Sequence, residues 1–148
     1  MQQETQIILP VIALVVWSLV MWVWMYVTRL PAMKKAKIKP DPHAVNGEQL
    51  ATLPAEVRWK ADNYTHLMEQ PTIFYALVFS VHLIGEGHGL NLWLAWGYVL
   101  LRVIHSFVQT LGNIIELRFC VFLLSTLCLF GLTINAALAL LAYISSPA

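Results

Sequence analysis

Polar side chains recur at regular intervals along one apolar stretch in the second half of the chain. Arg102, His105, Gln109, Asn113 and Glu116 lie at offsets of 0, +3, +7, +11 and +14. At about 3.6 residues per turn, this spacing places all of them on one face of a helix. A charged residue in mid-membrane costs at least about 2.5 kcal/mol on insertion scales, so such residues are rarely incidental. The stripe therefore predicts the wall of a hydrated cavity that opens to the cytoplasm.

A second, shorter stripe precedes the next apolar stretch. Arg58, Asp62, His66 and Glu69 lie at offsets of 0, +4, +8 and +11, again on one side of a helix. Three helices are thus expected to bring seven candidate site residues to one membrane face: Arg58, His66, Glu69, Arg102, His105, Gln109 and Arg118. Three arginines against one intramembrane carboxylate favour an anionic ligand, because planar guanidinium groups bind carboxylates and phosphates in pairs of hydrogen bonds.

Two other interpretations of these residues remain open. The first is structural: Glu69 could pair with Arg102, while His105 and Gln109 form hydrogen bonds between helices. The second is a metal site, in which His66, Glu69 and His105 supply two imidazoles and one carboxylate. The nearby arginines disfavour a cation there, so we predict no metal ligand.

The composition indicates an all-α integral membrane protein. Of 148 residues, 59% are hydrophobic and 11% are charged, and the net charge is +1. These values exclude a soluble globular domain, a disordered chain and a nucleic-acid binder that relies on net charge. The pattern predicts one domain, residues 1–148, built as a bundle of four transmembrane helices. Their expected bounds are 7–28, 64–84, 92–112 and 119–144.

The basic residues predict the orientation of the chain in the membrane. Seven of the nine lysines and arginines lie in the loop 29–60, and Arg118 lies beside the third loop. Because positive loops stay in the cytoplasm, both of these loops are expected there, with both termini outside. The site face is then cytoplasmic.

Two sequence patterns resemble the MAPEG family, the membrane-associated proteins in eicosanoid and glutathione metabolism, in a divergent, bacterial-type form. The first is Arg102-x-x-His105-x-x-x-Gln109 followed by Arg118, and the second is the segment from Arg58 through His66 and Glu69 to Pro71. The resemblance extends over nearly the whole chain. It implies a homotrimer of four-helix subunits, with glutathione bound between subunits near the cytoplasmic face.

The resemblance also implies roles for individual residues. Glu69, Arg102 and His105 match glutathione contacts, and Arg118 matches the arginine that stabilises the glutathione thiolate as the catalytic residue. With Arg58, His66 and Gln109 they form the predicted glutathione-binding set. The chain departs from the family pattern at Thr65, His66, Gln109 and Phe119, and Pro71 follows Glu69 by two residues rather than by about four.

The expected function is a membrane-embedded glutathione transferase or peroxidase that attacks a small hydrophobic substrate. Glutathione, or a related anionic thiol, would be the co-substrate, membrane lipid would surround the protein, and no nucleic acid is expected as a partner. The expected location is the cell membrane, which is the inner membrane in a bacterium. The alternative is a non-catalytic trimeric membrane module that binds an anionic lipid or a partner protein through the basic segment Lys34 to Lys39.

Overall fold

The computed structural model describes residues 6–39, 41–45 and 47–145, and this part of the chain is helical with no strands. The helices are α1 (Ile8–Lys35), α2 (Glu48–Ala51), α3 (Ala55–Leu67), α4 (Gln70–Leu83), α5 (Gly89–Phe107) and α6 (Ile115–Ser145), and a π-helical turn, Val108–Gly112, follows α5.

Within the described residues, three helical segments are long and apolar enough to cross a membrane. They are Ile8–Lys35, Gly89–Gly112 and Ile115–Ser145. Helices are stable in the hydrocarbon core of a membrane because each backbone N–H and C=O finds its hydrogen-bond partner within the same segment. These segments confirm the all-α membrane class and agree broadly with the first, third and fourth predicted spans.

The predicted second span, 64–84, is divided into α3 and α4 by a break at Met68 and Glu69. Pro71 accounts for the break, because it has no N–H and its ring clashes with the carbonyl four residues earlier, at Leu67. The backbone of Glu69 leaves the helical region, with φ −90° and ψ −90°. A fourth membrane crossing through these two helices stays a prediction.

The first helix is longer than the predicted span 7–28, so the loop expected at residue 29 begins only after Lys35. Lys34 and Lys35 in its last turn stabilise the negative end of the helix dipole. Lys37 then takes a left-handed conformation, with φ 53°, and the Ile38 N–H donates to the Met33 carbonyl at 3.1 Å. This combination is a Schellman motif, in which a left-handed residue is followed by an N–H that donates to a carbonyl five residues earlier, and it ends helices in many proteins.

Polar and aromatic contacts hold α4, α5 and α6 together beside the candidate site. The rings of Phe74 and Tyr98 stack at 4.4 Å between centroids. The Tyr98 hydroxyl donates to Gln70 Oε1 at 3.3 Å, and Gln70 Nε2 donates to Thr126 Oγ1 at 3.0 Å. Because Gln70 is the first residue of α4, this network fixes the helix immediately after the break.

Two further interhelical hydrogen bonds fix the packing of α5 against α1 and α6. Trp17 Nε1 donates to Ser106 Oγ at 3.1 Å and joins α1 to the carboxyl end of α5. At the amino end of α5, Asn135 Nδ2 donates to Asn91 Oδ1 at 2.9 Å and joins α6 to α5. Side-chain hydrogen bonds between membrane helices are worth roughly 0.6 kcal/mol on average, so their main effect is to set the alignment of the helices.

Candidate functional site

Arg102 is the most deeply buried candidate residue, with 0% of its surface exposed. Its Nη2 donates to the backbone carbonyl of His66 at 2.7 Å. In an uninterrupted helix that carbonyl would accept from the N–H of Gln70, so the break in front of Pro71 is what leaves it free for Arg102. The guanidinium carbon lies 5.6 Å from the centre of the Phe122 ring.

Two donors of this buried guanidinium, Nε and Nη1, have no hydrogen-bond partner. No carboxylate of the described residues lies within the 4.0 Å of an ion pair, so the pairing of Glu69 with Arg102 considered above is absent. A buried cation with unused donors is costly unless an anion or another acceptor binds it. Nε and Nη1 of Arg102 are therefore free to donate hydrogen bonds to an anionic group, since no surrounding side chain accepts from them.

Two imidazoles and a carboxylate lie next to Arg102. His66 Nδ1 and Glu69 Oε2 are 3.1 Å apart, which makes a short-range pair at the end of α3. The His66 and His105 rings lie 5.0 Å apart, and His105 is only 2% exposed. The two predicted stripes thus converge at His66, Glu69 and His105.

The stripe on α5 ends at Gln109 rather than at Glu116 as predicted. Gln109 lies in the π-helical turn and is 5% exposed, and its Oε1 has no hydrogen-bond partner. Asn113 is left-handed, with φ 47° and ψ 39°, which ends the helix, and Glu116 lies exposed in α6. Single π-helical turns are frequent at functional sites, and this one turns Gln109 toward the cavity described next.

A polar cavity of about 280 Å³ brings together four of the predicted residues. Its lining consists of Asp62, Thr65, His66, Glu69, Gln109 and Arg118. Arg118 projects from the first turn of α6, where its Nη1 donates to Asn113 Oδ1 at 2.7 Å. The cavity therefore presents the carboxylates of Asp62, on α3, and Glu69, at the break after α3, together with a guanidinium from α6. Such a pairing of opposite charges suits a zwitterionic ligand.

An apolar cavity of about 200 Å³ shares two of these side chains. It is lined by His66, His105, Ile115, Arg118, Phe119 and Phe122. Ile115 and Phe119 are largely exposed on the outer surface of the bundle. Arg118 and His66 thus line both a polar compartment and an apolar compartment, and the apolar one is bordered by the exposed side chains of Ile115 and Phe119.

Arg58 does not join this group, although the stripe on α3 placed it there. It lines a separate cavity with Arg29, and that cavity shares only Asp62 and Thr65 with the polar one. Helical spacing put Arg58 on the face of Asp62 and His66, but Arg58 lines the cavity that contains Arg29 and not the one that contains His66.

Comparison of the sequence with models of known protein families identifies the family of the chain. The family model described as the MAPEG family matches residues 7–138. The chain belongs to the MAPEG family. No curated protein and no solved structure matches it. MAPEG proteins include glutathione transferases and related proteins, so membership confirms the resemblance seen in the sequence.

Two residues of this MAPEG site were not among the predicted binding residues. Asn113 positions Arg118, and Phe122 lies against the rings of His66 and His105, at 5.1 and 6.1 Å between centroids. Asn63 of α3 is also fully buried, and both polar atoms of its amide lack hydrogen-bond partners, but it lines neither cavity. The sequence alone could have predicted Phe122, because it follows Arg118 by four residues and so lies on the same face of the helix.

The metal alternative has no geometric support among the described residues. In the part of the chain that the structure describes, no group of three histidine, cysteine, aspartate or glutamate side chains lies close enough together to hold a metal ion.

Proposed function

We propose that this MAPEG protein binds glutathione, or a related anionic thiol, in the polar cavity and transfers it to a hydrophobic electrophile in the apolar cavity. The observation that carries the proposal is the position of Arg118, which lines both compartments. A transferase needs such a boundary, because its two substrates differ in polarity and must meet at one reacting atom.

The charged residues match the groups of a thiol tripeptide. Glu69 and Asp62 in the cavity suit its ammonium group, and the unused donors of Arg102 suit a carboxylate. Arg102 is fully buried, so a ligand reaches it only if the side chains of the cavity wall move. Its bond to the His66 carbonyl also holds His66 against the cavity.

Arg118 is the proposed catalytic residue. Glutathione supplies a thiol that releases its proton to water, and the thiolate sulfur forms a bond to the electrophilic carbon as the leaving group of that carbon, such as chloride, departs with the bonding electron pair. Asn113 occupies one guanidinium donor of Arg118, and the others stay available to a negative charge. A nearby guanidinium stabilises a thiolate relative to the thiol, whose pKa is near 8.5, and so raises the nucleophilic fraction at neutral pH.

The test is glutathione binding and thiolate formation by the purified protein in nanodiscs. The wild type should bind glutathione and show ultraviolet thiolate absorbance at neutral pH. Arg118→Ala should lose the thiolate absorbance. Arg102→Ala should bind glutathione at least about tenfold more weakly. Lys34→Ala removes a positive charge outside the site and should match the wild type in both measurements. Equal absorbance in the wild type and Arg118→Ala would contradict the role of Arg118, and no binding by the wild type would contradict the function itself.

We further propose the assembly and orientation that the family implies: a homotrimer in the cell membrane, with the site facing the cytoplasm. Support comes from family membership and from the basic loop. Mass determination of the detergent-solubilised protein tests the trimer. Residues 1–5 and 146–148, at the termini predicted to lie outside, are beyond the described residues, and labelling of cysteines introduced there tests the orientation.

A second candidate function is supported by the exposed lysines at the end of α1. Lys34, Lys35, Lys37 and Lys39 are all exposed and suit an anionic membrane surface or a partner protein. A mass-spectrometric screen that finds retained lipid and no bound thiol would favour this non-catalytic module.

A further inference from the structure

Two cavities meet at one carboxylate, at the opposite end of the bundle from the proposed glutathione site. The first has a volume of about 370 Å³, and its polar side chains are Glu86, His88, Asn91 and Asn135. The second has a volume of about 440 Å³ and is mainly apolar, lined by Leu83, Ile84, Glu86, Ala139, Leu140 and Tyr143. Glu86 lines both, and neither cavity shares a residue with the two compartments around Arg118.

Glu86 lies at the boundary between the lipid headgroups and the hydrocarbon core. It belongs to the loop just before the apolar segment Gly89–Gly112, and the exposed Trp93 follows at the start of that segment, as is typical of tryptophan at a membrane interface. Asn135, in the polar cavity, follows Arg118 along α6 by 17 residues. At 1.5 Å per residue this separates the two sites by about 26 Å.

Hydrogen bonds fix the backbone of Glu86 to three helices. Its N–H donates to the Val81 carbonyl of α4 at 3.0 Å, which the left-handed conformation of Gly85, with φ 78°, makes possible. Its carbonyl accepts from Asn91 Nδ2 of α5 at 2.9 Å, and Asn91 Oδ1 in turn accepts from Asn135 Nδ2 of α6 at 2.9 Å. The carboxylate is therefore carried on a well-anchored loop.

The Glu86 side chain itself has no counter-ion within the described part of the chain. It is partly buried, and the ion pair between His66 and Glu69 is the only one between described residues. No lysine or arginine lines either cavity. A partly buried charge without a partner is costly, and a bound cation would offset that cost. The cavities therefore suit a ligand that brings a positive charge.

We propose that this site binds a long-chain amine, an amphiphile whose ammonium group is attached directly to its apolar chain. The ammonium group pairs with Glu86, and the chain occupies the apolar cavity. Hydroxyl groups on the head of such an amine reach His88 and Asn135 in the polar cavity. The site is separate from the proposed glutathione site and needs no turnover there.

The position of Glu86 decides which kind of amphiphile fits. Its carboxylate lies where the apolar cavity meets the polar one, so the group next to the chain has to be cationic. In a phospholipid that group is an anionic phosphate, which Glu86 would repel. Leu83, Leu140 and Tyr143 are largely exposed on the outside of the bundle, so an amphiphile dissolved in the membrane can enter from the side.

The test is thermal unfolding of the whole protein in uncharged maltoside micelles that contain dodecylamine or, at the same concentration, dodecanol. Dodecylamine should raise the melting temperature of the wild type above the value in dodecanol. Glu86→Gln should lose this difference and bind dodecylamine at least about tenfold more weakly. Glu116→Gln is the matched control, because Glu116 is an exposed carboxylate that lines neither cavity.

A second arm tests the place of the apolar chain. Leu140→Trp fills the apolar cavity and leaves Glu86 in place, so it should weaken dodecylamine binding by a similar factor. Leu141→Trp is its control, since Leu141 is likewise exposed on α6 but lines neither cavity. This comparison decides the question by itself if Glu86→Gln does not fold.

Three results would overturn the proposal: equal shifts with the amine and the alcohol, wild-type affinity in both Glu86→Gln and Leu140→Trp, or displacement of dodecylamine by an equal amount of phosphatidylethanolamine. All four variants should bind glutathione as the wild type does, because their residues lie outside that site. The test uses no glutathione, so failure of the proposed function would leave its outcome unchanged.

Discussion

Arg118 and Asn113 form a hydrogen bond of 2.7 Å, from Nη1 to Oδ1, across the junction between the π-helical turn and α6. Asn113 is left-handed, a conformation that asparagine tolerates better than most residues. The backbone reversal that ends α5 therefore also supplies the acceptor that orients the guanidinium. Asn113 is a positioning residue for the proposed catalytic arginine.

Replacement of Asn113 by glycine should weaken thiolate formation without loss of folding. Glycine adopts the left-handed conformation freely but has no acceptor for Arg118. With the guanidinium no longer oriented, we expect the titration midpoint of glutathione thiolate absorbance to move to higher pH, by less than in Arg118→Ala. A pH series of difference spectra measures the midpoint.

The control for this change is the melting temperature in detergent, which should stay close to that of the wild type. A midpoint identical to the wild-type value would show that Arg118 is oriented by other contacts.

Helical periodicity predicted that His66 shares a face with Glu69 and that His105 shares one with Gln109. The expected topology then placed Arg118 at the same end of the bundle. The sequence could not predict what lies opposite these faces. Arg58 shares the stripe of His66 but faces Arg29, since the packing of α1 against α3 decides its surroundings. Composition likewise predicted a single apolar run at 64–84, although Pro71 divides it.

Replacement of Pro71 by alanine should weaken glutathione binding through Arg102. The N–H that alanine restores lets α3 continue into α4, and the Gln70 N–H then competes with Arg102 for the His66 carbonyl. We expect the Kd for glutathione to rise several-fold, as measured by calorimetry in nanodiscs.

Pro54→Ala is the matched control, because Pro54 caps the amino end of α3, away from the break. It should leave the Kd unchanged. Unaltered binding in Pro71→Ala would mean that the break persists without proline, held by contacts such as the Thr72 hydroxyl donating to the Glu69 carbonyl at 2.7 Å.

Phe119 should determine affinity for the electrophile and have little effect on glutathione. It lines the apolar cavity and is 63% exposed, so its removal leaves few buried contacts unsatisfied. Phe119→Ala should raise KM for an aromatic chloronitrobenzene several-fold, since apolar contact area is lost. The Kd for glutathione should be unchanged.

Phe130→Ala is the control for this comparison, as Phe130 is similarly exposed on α6 but lies outside both cavities. Steady-state kinetics with both substrates separates the two constants. A change in glutathione Kd with no change in electrophile KM would reverse the assignment of the two compartments.

Replacement of Arg102 by methionine should stabilise the protein while it removes glutathione binding. Arg102 is buried with two unpartnered donors and no ion pair to a described carboxylate, so the folded protein bears the cost of an uncompensated charge. Methionine fills much of the same space without that cost, and comparable replacements of buried charges in other proteins are neutral or stabilising.

We expect the melting temperature of Arg102→Met in detergent to equal or exceed that of the ligand-free wild type. Glutathione at ten times its Kd should stabilise the wild type by about 1.4 kcal/mol and leave the variant unaffected. Thermal unfolding with and without glutathione measures both effects in one experiment. A marked drop in the melting temperature of Arg102→Met would show instead that the bond to the His66 carbonyl makes Arg102 a structural residue. If glutathione raised the melting temperature of the variant as much as that of the wild type, Arg102 would be excluded from the binding site.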